Sequence, residues 1–455
     1  MSGKKKKLID MTQGSVIASL VQFALPLAAG SVFQLLYSTT DLLFVGNLVG
    51  TSAAAAVGAS SLLVTCLVGI FTGIAAGTSV AVSQAIGAAK RKEANSLVHT
   101  AVGFAIAAGM ILTILGELAA PAILQAMKTP EEILPDAVAY IRIYFVSMLP
   151  LTFYNIGSGI LRACGDSKSP FYILAAGGFL NVGADALMIA VLKLGVCGAA
   201  LATSISQTFS AAAVVWLLVR GNEKVRLKTS AIRIEKRDIL KILRLGLPAG
   251  IQSMTITLSN LIIQYFINGF GTDTITAYTY YFRLENFTYM PVLAFGQAVM
   301  TFTAQNMGAG RMDRIKKGVF ASAVISVLTV AAISFFLLAI GPTALGWFGK
   351  DKAVIAVGLE IIAISFPLYW LNSLIEVFGG AIRGMGYAFL SMIIVIGVIC
   401  GGRIVLLNLF VARFHNVKVL TGVYPITWGI AAVFLFFGMV WTWRRVRLSI
   451  IAYRD

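Results

Sequence analysis

Four carboxylates, Asp41, Asp185, Glu285 and Glu376, stand inside stretches that are otherwise apolar, one of them the run YSTTDLLFVGNLVG from Tyr37 to Gly50. A charge in hydrocarbon is expensive, so such an acid faces the protein interior or a watery cavity and marks an ion or substrate path. Glu117, Asp136 and Glu360 lie close to predicted helix ends, where water solvates them. Depth follows from residue counts at about 1.5 Å per residue: Asp41 is roughly 7 Å from Gly46, Asp185 roughly 12 Å from Lys193, and Thr203 roughly 10 Å from Val196. Asn181 is one helical turn from Asp185 and shares its face.

Asp41, Asn181, Asp185 and Thr203 therefore form a candidate cation site of two carboxylates, an amide oxygen and a hydroxyl. Such hard oxygens suit Na⁺, or a proton shared between two coupled acids. Either makes a switch, because the empty acids repel each other and the occupied site is neutralised. The plainer alternatives are that Asp41 caps a helix end and that Asn181 and Thr203 join helices by hydrogen bonds.

A second group suits a large pocket for flat organic cations: Gln34, Tyr37, Gln252, Tyr265, Tyr281, Glu285, Tyr369 and Glu376, with Tyr278, Trp370, Met254 and Met290 as further aromatic and adaptable wall. Arg283, two residues from Glu285, and Arg403 offer a competing reading of these acids as intramembrane ion pairs.

The elements that position these residues are membrane spans. Hydrophobic residues make up 58% of the 455 and charged ones 12%, against roughly 25% charged in a soluble domain. Twelve apolar runs are each long enough to cross a hydrocarbon core: 15–45, 53–84, 95–117, 134–160, 169–192, 196–219, 240–268, 275–305, 316–341, 353–381, 387–411 and 420–443. Lys4 to Lys7 precede a first run about twice the length of a signal-peptide core, which reads as a retained span. With a cytoplasmic N-terminus, cytoplasmic segments hold 27 Lys and Arg and external loops six. That bias predicts both termini in the cytoplasm and explains the net charge of +17 without nucleic acid. Cys66, Cys164, Cys197 and Cys400 lack CxxC spacing and His99 is far from His415, so neither a disulfide framework nor a Cys/His metal site is expected.

The longest polar connection, GNEKVRLKTSAIRIEKRDILKILR from Gly221 to Arg244, divides the chain into an N-terminal lobe (1–220), a basic linker (221–244) and a C-terminal lobe (245–455). QAIGAAK (84–90) recurs as QNMGAGR (305–311), and RACG (162–165) as RGMG (383–386), both at an offset of 221 residues; LPLAAG (25–30) meets LPAGIQ (247–252) one residue out of that register. Repeats with an even number of spans enter from the same side, so the copies are related by an axis along the membrane normal.

The stretches LPLAAGSVFQLLYSTTDLLFVGNLVGTSAAAAVG (25–58), GTSVAVSQAIGAAK (77–90), GILRACGDSKSP (159–170) and GVCGAALATSISQ (195–207) resemble signatures of the multidrug and toxic compound extrusion (MATE) transporters, prokaryotic type, of the MOP flippase superfamily. The resemblance implies an all-α membrane protein with twelve transmembrane helices in two pseudo-symmetric six-helix bundles around a central cavity. It implies that Asp41, Asn181, Asp185 and Thr203 are the cation site and that Pro26 bends the first helix. Span seven lacks the acid that some members carry there. The expected activity is Na⁺- or H⁺-coupled antiport of organic, often cationic and aromatic, compounds, by a monomer in the bacterial cytoplasmic membrane with no cofactor. A lipid-linked oligosaccharide flippase or a metabolite exporter is the alternative. An intramembrane enzyme would need a motif such as GxSxG or HExxH on a span, and neither occurs.

Overall fold

The computed structural model describes residues 8–221 and 224–452; Lys4 to Lys7, Asn222, Glu223 and Arg454 of the charge pattern lie outside the described residues. All regular structure among the described residues is helical. The first half of the chain forms α1 (Val16–Phe44), α2 (Thr51–Gly87), α3 (Arg91–Ala126), α4 (Leu134–Val146), α5 (Met148–Ala163), α6 (Lys168–Asp185) and α7 (Gly195–Arg220). The second half forms α8 (Lys236–Asn268), α9 (Thr272–Gly308), α10 (Met312–Ala339), α11 (Gly341–Gly346), α12 (Lys352–Ser365), α13 (Trp370–Gly384), α14 (Ala388–Val395), α15 (Arg403–Leu406), α16 (Ala412–Phe414) and α17 (Val417–Ala452).

Eight helical stretches are long and apolar enough to cross a membrane, and the bent pairs α4–α5 (46°) and α12–α13 (45°) bring the count to ten. Helices α8 and α9, at 33 and 37 residues, have the length but a more polar composition. Together these are the twelve stretches that the apolar runs predict. Four π-helical segments interrupt or extend them: Val45–Val49 after α1, Ala186–Val191 after α6, and Ile396–Gly402 and Leu407–Val411 on either side of α15.

The first of these segments corrects one expectation. Gly46 does not end the first span, because the chain stays helical through Val49 and stops at Gly50, whose φ of 124° is open to glycine but strained for other residues. Asp41 is therefore nine residues from its helix end, roughly 13 Å, close to the depth of Asp185.

Contacts divide the chain into two compact units whose borders fall inside α1 and α8 rather than in the linker: Met1–Ile9 (where described) with Ala29–Gly250, and Asp10–Ala28 with Ile251–Asp455. In the first unit the α4–α5 bend is fixed by small residues and a hydroxyl. Phe145 fills the space beside Gly116, and Thr113 Oγ1 donates to the Phe145 carbonyl at 2.9 Å. Two GxxxG pairs face each other, Gly73 and Gly77 on α2 against Gly250 and Gly246 on α8, so closely that a Cβ on Gly73 would lie 2.1 Å from the Gly250 nitrogen. Missing Cβ atoms let the two backbones touch, the usual means of helix association in lipid. Linker residues also dock on α3: the Arg226, Lys228 and Glu235 N–H groups donate to Asn95 Oδ1, His99 Nε2 and Thr100 Oγ1 at 3.1, 3.0 and 3.2 Å.

The second unit holds the segment before α1 in an equivalent way. The fully buried Met11 donates its N–H to Gln305 Oε1 at 3.2 Å, while Asn306 Nδ2 and Arg314 Nε donate to its carbonyl at 2.9 and 3.2 Å. Arg314 also donates to the Gln13 and Gly14 carbonyls, at 2.6 and 2.9 Å. The QNMGAGR repeat and the residues after it thus clamp the chain that leads into the first span.

Candidate cation and substrate sites

In the first unit, Asp41 from the second half of α1 and Asp185 from the end of α6 face each other with their carboxyls within hydrogen-bond reach. Asp185 is fully buried and Asn181 nearly so. Asp41 Oδ1, Asn181 Oδ1, both oxygens of Asp185 and Gln207 Oε1 are buried without any donor. Two facing carboxylates cannot bond to each other unless a proton or a cation lies between them. Buried oxygens left without a partner lose several kcal/mol of hydration each, on the order of the desolvation penalty for polar groups. Each acid is followed within four residues by a π-helical segment, Val45–Val49 or Ala186–Val191. Such turns are frequent at functional sites, where they shift side-chain direction and loosen backbone pairing.

Of the four residues expected here, Asp41 and Asp185 are brought together and Asn181 shares the Asp185 face. Thr203 stands half-buried on α7, which packs on α6 where Gly177 meets Ser210 Oγ and the Ser206 carbonyl. Among the described residues Thr203 makes no direct bond to either acid. The sequence reading passed over Gln207, one turn from Thr203 on α7, whose Oε1 is buried without a hydrogen-bond partner among the described residues. It also missed Tyr140 and Tyr144 of α4, whose stacked rings lie 6.1 Å apart. Tyr140 is within electrostatic reach of both acids and Tyr144 of Asp41. Tyr37 lies against Gly178, where a Cβ would sit 3.2 Å from its ring.

The second unit gathers a different set. The Tyr369 hydroxyl, at the start of α13, donates to Glu285 Oε1 on α9 at 3.0 Å. Tyr281, Phe366, Tyr369, Trp428 and Tyr424 form a chain of ring contacts between 5.0 and 6.3 Å beside it. Tyr278 closes one end by a 2.7 Å hydrogen bond with Thr421. Glu376 is not part of this group: its Oε2 takes a 3.0 Å ion pair from Arg383, further along the same helix. Neither of the ion-pair partners considered for these acids holds one. Arg283 is exposed, and among the described residues Arg403 joins no ion pair. Of the remaining pocket candidates, Gln252 is buried with Oε1 unpaired, Gln34 is exposed, and Tyr265 is 75% exposed with only Phe266 against its ring. Helix α1 runs through Pro26 without a break, two residues before the border between the compact units.

Long apolar helices, two compact helical units and acids buried within them define a polytopic membrane protein. The chain belongs to the MatE family, the multidrug and toxic compound extrusion transporters: the family model matches residues 26–187 and, a second time, 248–409, an offset of 222 residues. The probable multidrug resistance protein YpnP of Bacillus subtilis (strain 168) is 30% identical over 388 residues, 84% of this chain and 85% of its own. The probable multidrug resistance protein YoeA of the same organism is 25% identical over 445 residues, 96% of each chain. A solved outward-facing structure of a multidrug resistance MATE family transporter shares the fold with a TM-score of 0.89 at 22% identity, covering 97% of this chain and 98% of that one.

Proposed function

We propose that this protein is a cation-coupled antiporter in which inward movement of Na⁺ or H⁺ drives export of organic, often cationic, compounds by alternating access. The observation that carries this reading is the facing of Asp41 and Asp185, with Asn181 one turn from Asp185 and its Oδ1 without a donor among the described residues. A coupling ion shifts a transporter between states only through a difference in affinity. A pair of carboxylates supplies one, because a small change in helix spacing alters both their repulsion and the oxygens that can reach one ion. The names of relatives such as YpnP and YoeA support the cargo class. In the second unit, Glu285 among its tyrosines suits a cationic, aromatic compound. The surplus of Lys and Arg on one set of loops supports a cytoplasmic location for both termini in the bacterial cytoplasmic membrane.

The test is export of a fluorescent organic cation from proteoliposomes under separately imposed Na⁺ and H⁺ gradients. One gradient is expected to drive export and the other to leave it at background. Export that ignores both would overturn the antiport reading.

A further inference from the structure

The repeat, at an offset of 221 to 222 residues, sets the stretch around Asn181 of the first copy against Gly402 and Arg403 of the second, and Asp41 and Asp185 against the aliphatic pairs Ile262–Ile263 and Leu406–Leu407. The backbone keeps the correspondence. A π-helical segment, Ala186–Val191, follows Asp185, and another, Leu407–Val411, occupies the corresponding stretch of the second copy. The duplicated stretch therefore keeps a π-helical segment but carries aliphatic side chains where the first copy has its acids, with the guanidinium of Arg403 beside them.

Arg403 is only 5% exposed. Its guanidinium carbon lies 4.5 Å over the Tyr424 ring, and Nη2 donates a long 3.4 Å hydrogen bond to Thr427 Oγ1. Among the described residues its Nε has no acceptor. Glu285 is within electrostatic reach, but its Oε1 is engaged by Tyr369 and it forms no ion pair with Arg403. A guanidinium cannot discharge itself by losing a proton. A cation buried in a membrane-spanning helix with one weak acceptor and a ring face is short of a counter-charge, and intramembrane charges of this kind mark ligand paths. The π-helical segments on both sides of α15 are a second sign, since such turns concentrate at functional sites.

We propose that Arg403, with Thr427 and the Tyr424 ring, is a site for a small monovalent anion in the second unit, opposite in charge to the cation site of the first. The anion is either a carboxylate of the transported compound, which makes amphoteric molecules a substrate class, or a separate small anion. Only the first source rests on the export reading above; the site itself does not. Trp428 lies 5.0 Å from Tyr369 and 6.0 Å from Tyr424 by ring centroids, so its fluorescence is placed to report occupancy.

The experiment titrates the purified full-length protein in low-salt buffer with potassium benzoate or potassium chloride, reading tryptophan fluorescence and thermal unfolding. The wild type is expected to give a saturable response, weakened at least tenfold in Arg403→Gln and retained in part by Arg403→Lys. A response to benzoate alone assigns the site to a carboxylate on the cargo, and a response to chloride assigns it to an inorganic anion. If Arg403→Gln does not fold, Thr427→Val carries the test, with a severalfold weaker response expected. No saturable response in the wild type, or an undiminished one in Arg403→Gln or Thr427→Val, overturns the proposal. Asp41→Asn is expected to keep the anion response while losing gradient-driven export, so failure of the antiport reading leaves this result standing.

Discussion

Glu376 and Arg383 form an ion pair at 3.0 Å between positions two turns apart on α13, with side chains only 16% and 13% exposed. Gly296 of α9 lies against this acid, where a Cβ would come 3.1 Å from Oε2, and Arg383 Nη1 also reaches Ser391 Oγ at 3.4 Å. The pair ties α13 to the start of α14. Removing one partner leaves the other buried and uncompensated, which costs on the order of 3 kcal/mol, whereas replacing both by apolar groups is near neutral. Glu376→Gln and Arg383→Met are each expected to lower the unfolding temperature of the purified protein, and the double variant to regain most of the loss. Independent, additive losses would show that the two residues are not coupled.

Asp41 and Asp185 behave in the opposite sense, because like charges face each other without a donor between them. Asp41→Asn and Asp185→Asn remove repulsion, so thermal stability is expected to hold or rise by about 1 kcal/mol while coupled export falls to background. Export from vesicles, normalised to protein in the membrane, checks this. Wild-type transport in both variants would remove the pair from the mechanism.

The glycine contact between α2 and α8 leaves no room for a side chain. Gly73→Ala or Gly250→Ala must push two backbones apart, since the obstructing atoms are main-chain ones at 2.1 and 2.9 Å. Each is expected to cost about 1–3 kcal/mol, the range for overpacking, and the double variant less than the sum, because the helices separate only once. Thermal unfolding of the three variants decides it.

Arg314 holds the chain before α1 through the Met11, Gln13 and Gly14 carbonyls. In Arg314→Gln the segment is expected to detach more often, raising hydrogen exchange at the Met11 amide by roughly tenfold or more, the effect of about 1.4 kcal/mol of lost local stability. Unchanged protection would mean that Gln305 and Asn306 suffice to hold it.

Much of this was legible in the sequence alone. Spans, duplication and the cost of an acid in hydrocarbon are properties of composition and of distance along one chain, so the helical stretches and the choice of Asp41 and Asp185 as candidates follow without coordinates. Tertiary structure decided the partnerships. Glu376 binds Arg383 and not Arg403, and Glu285 binds Tyr369, because each depends on how far a helix is rotated when it packs. A π-helical turn shifts that rotation with no clear mark in the residues, which is why Gly46 reads as a helix end and is not one. The borders of the compact units fall inside α1 and α8 for a similar reason: chain order follows the covalent bonds, whereas packing joins the segment before α1, through Met11, to Gln305, Asn306 and Arg314, about 300 residues away.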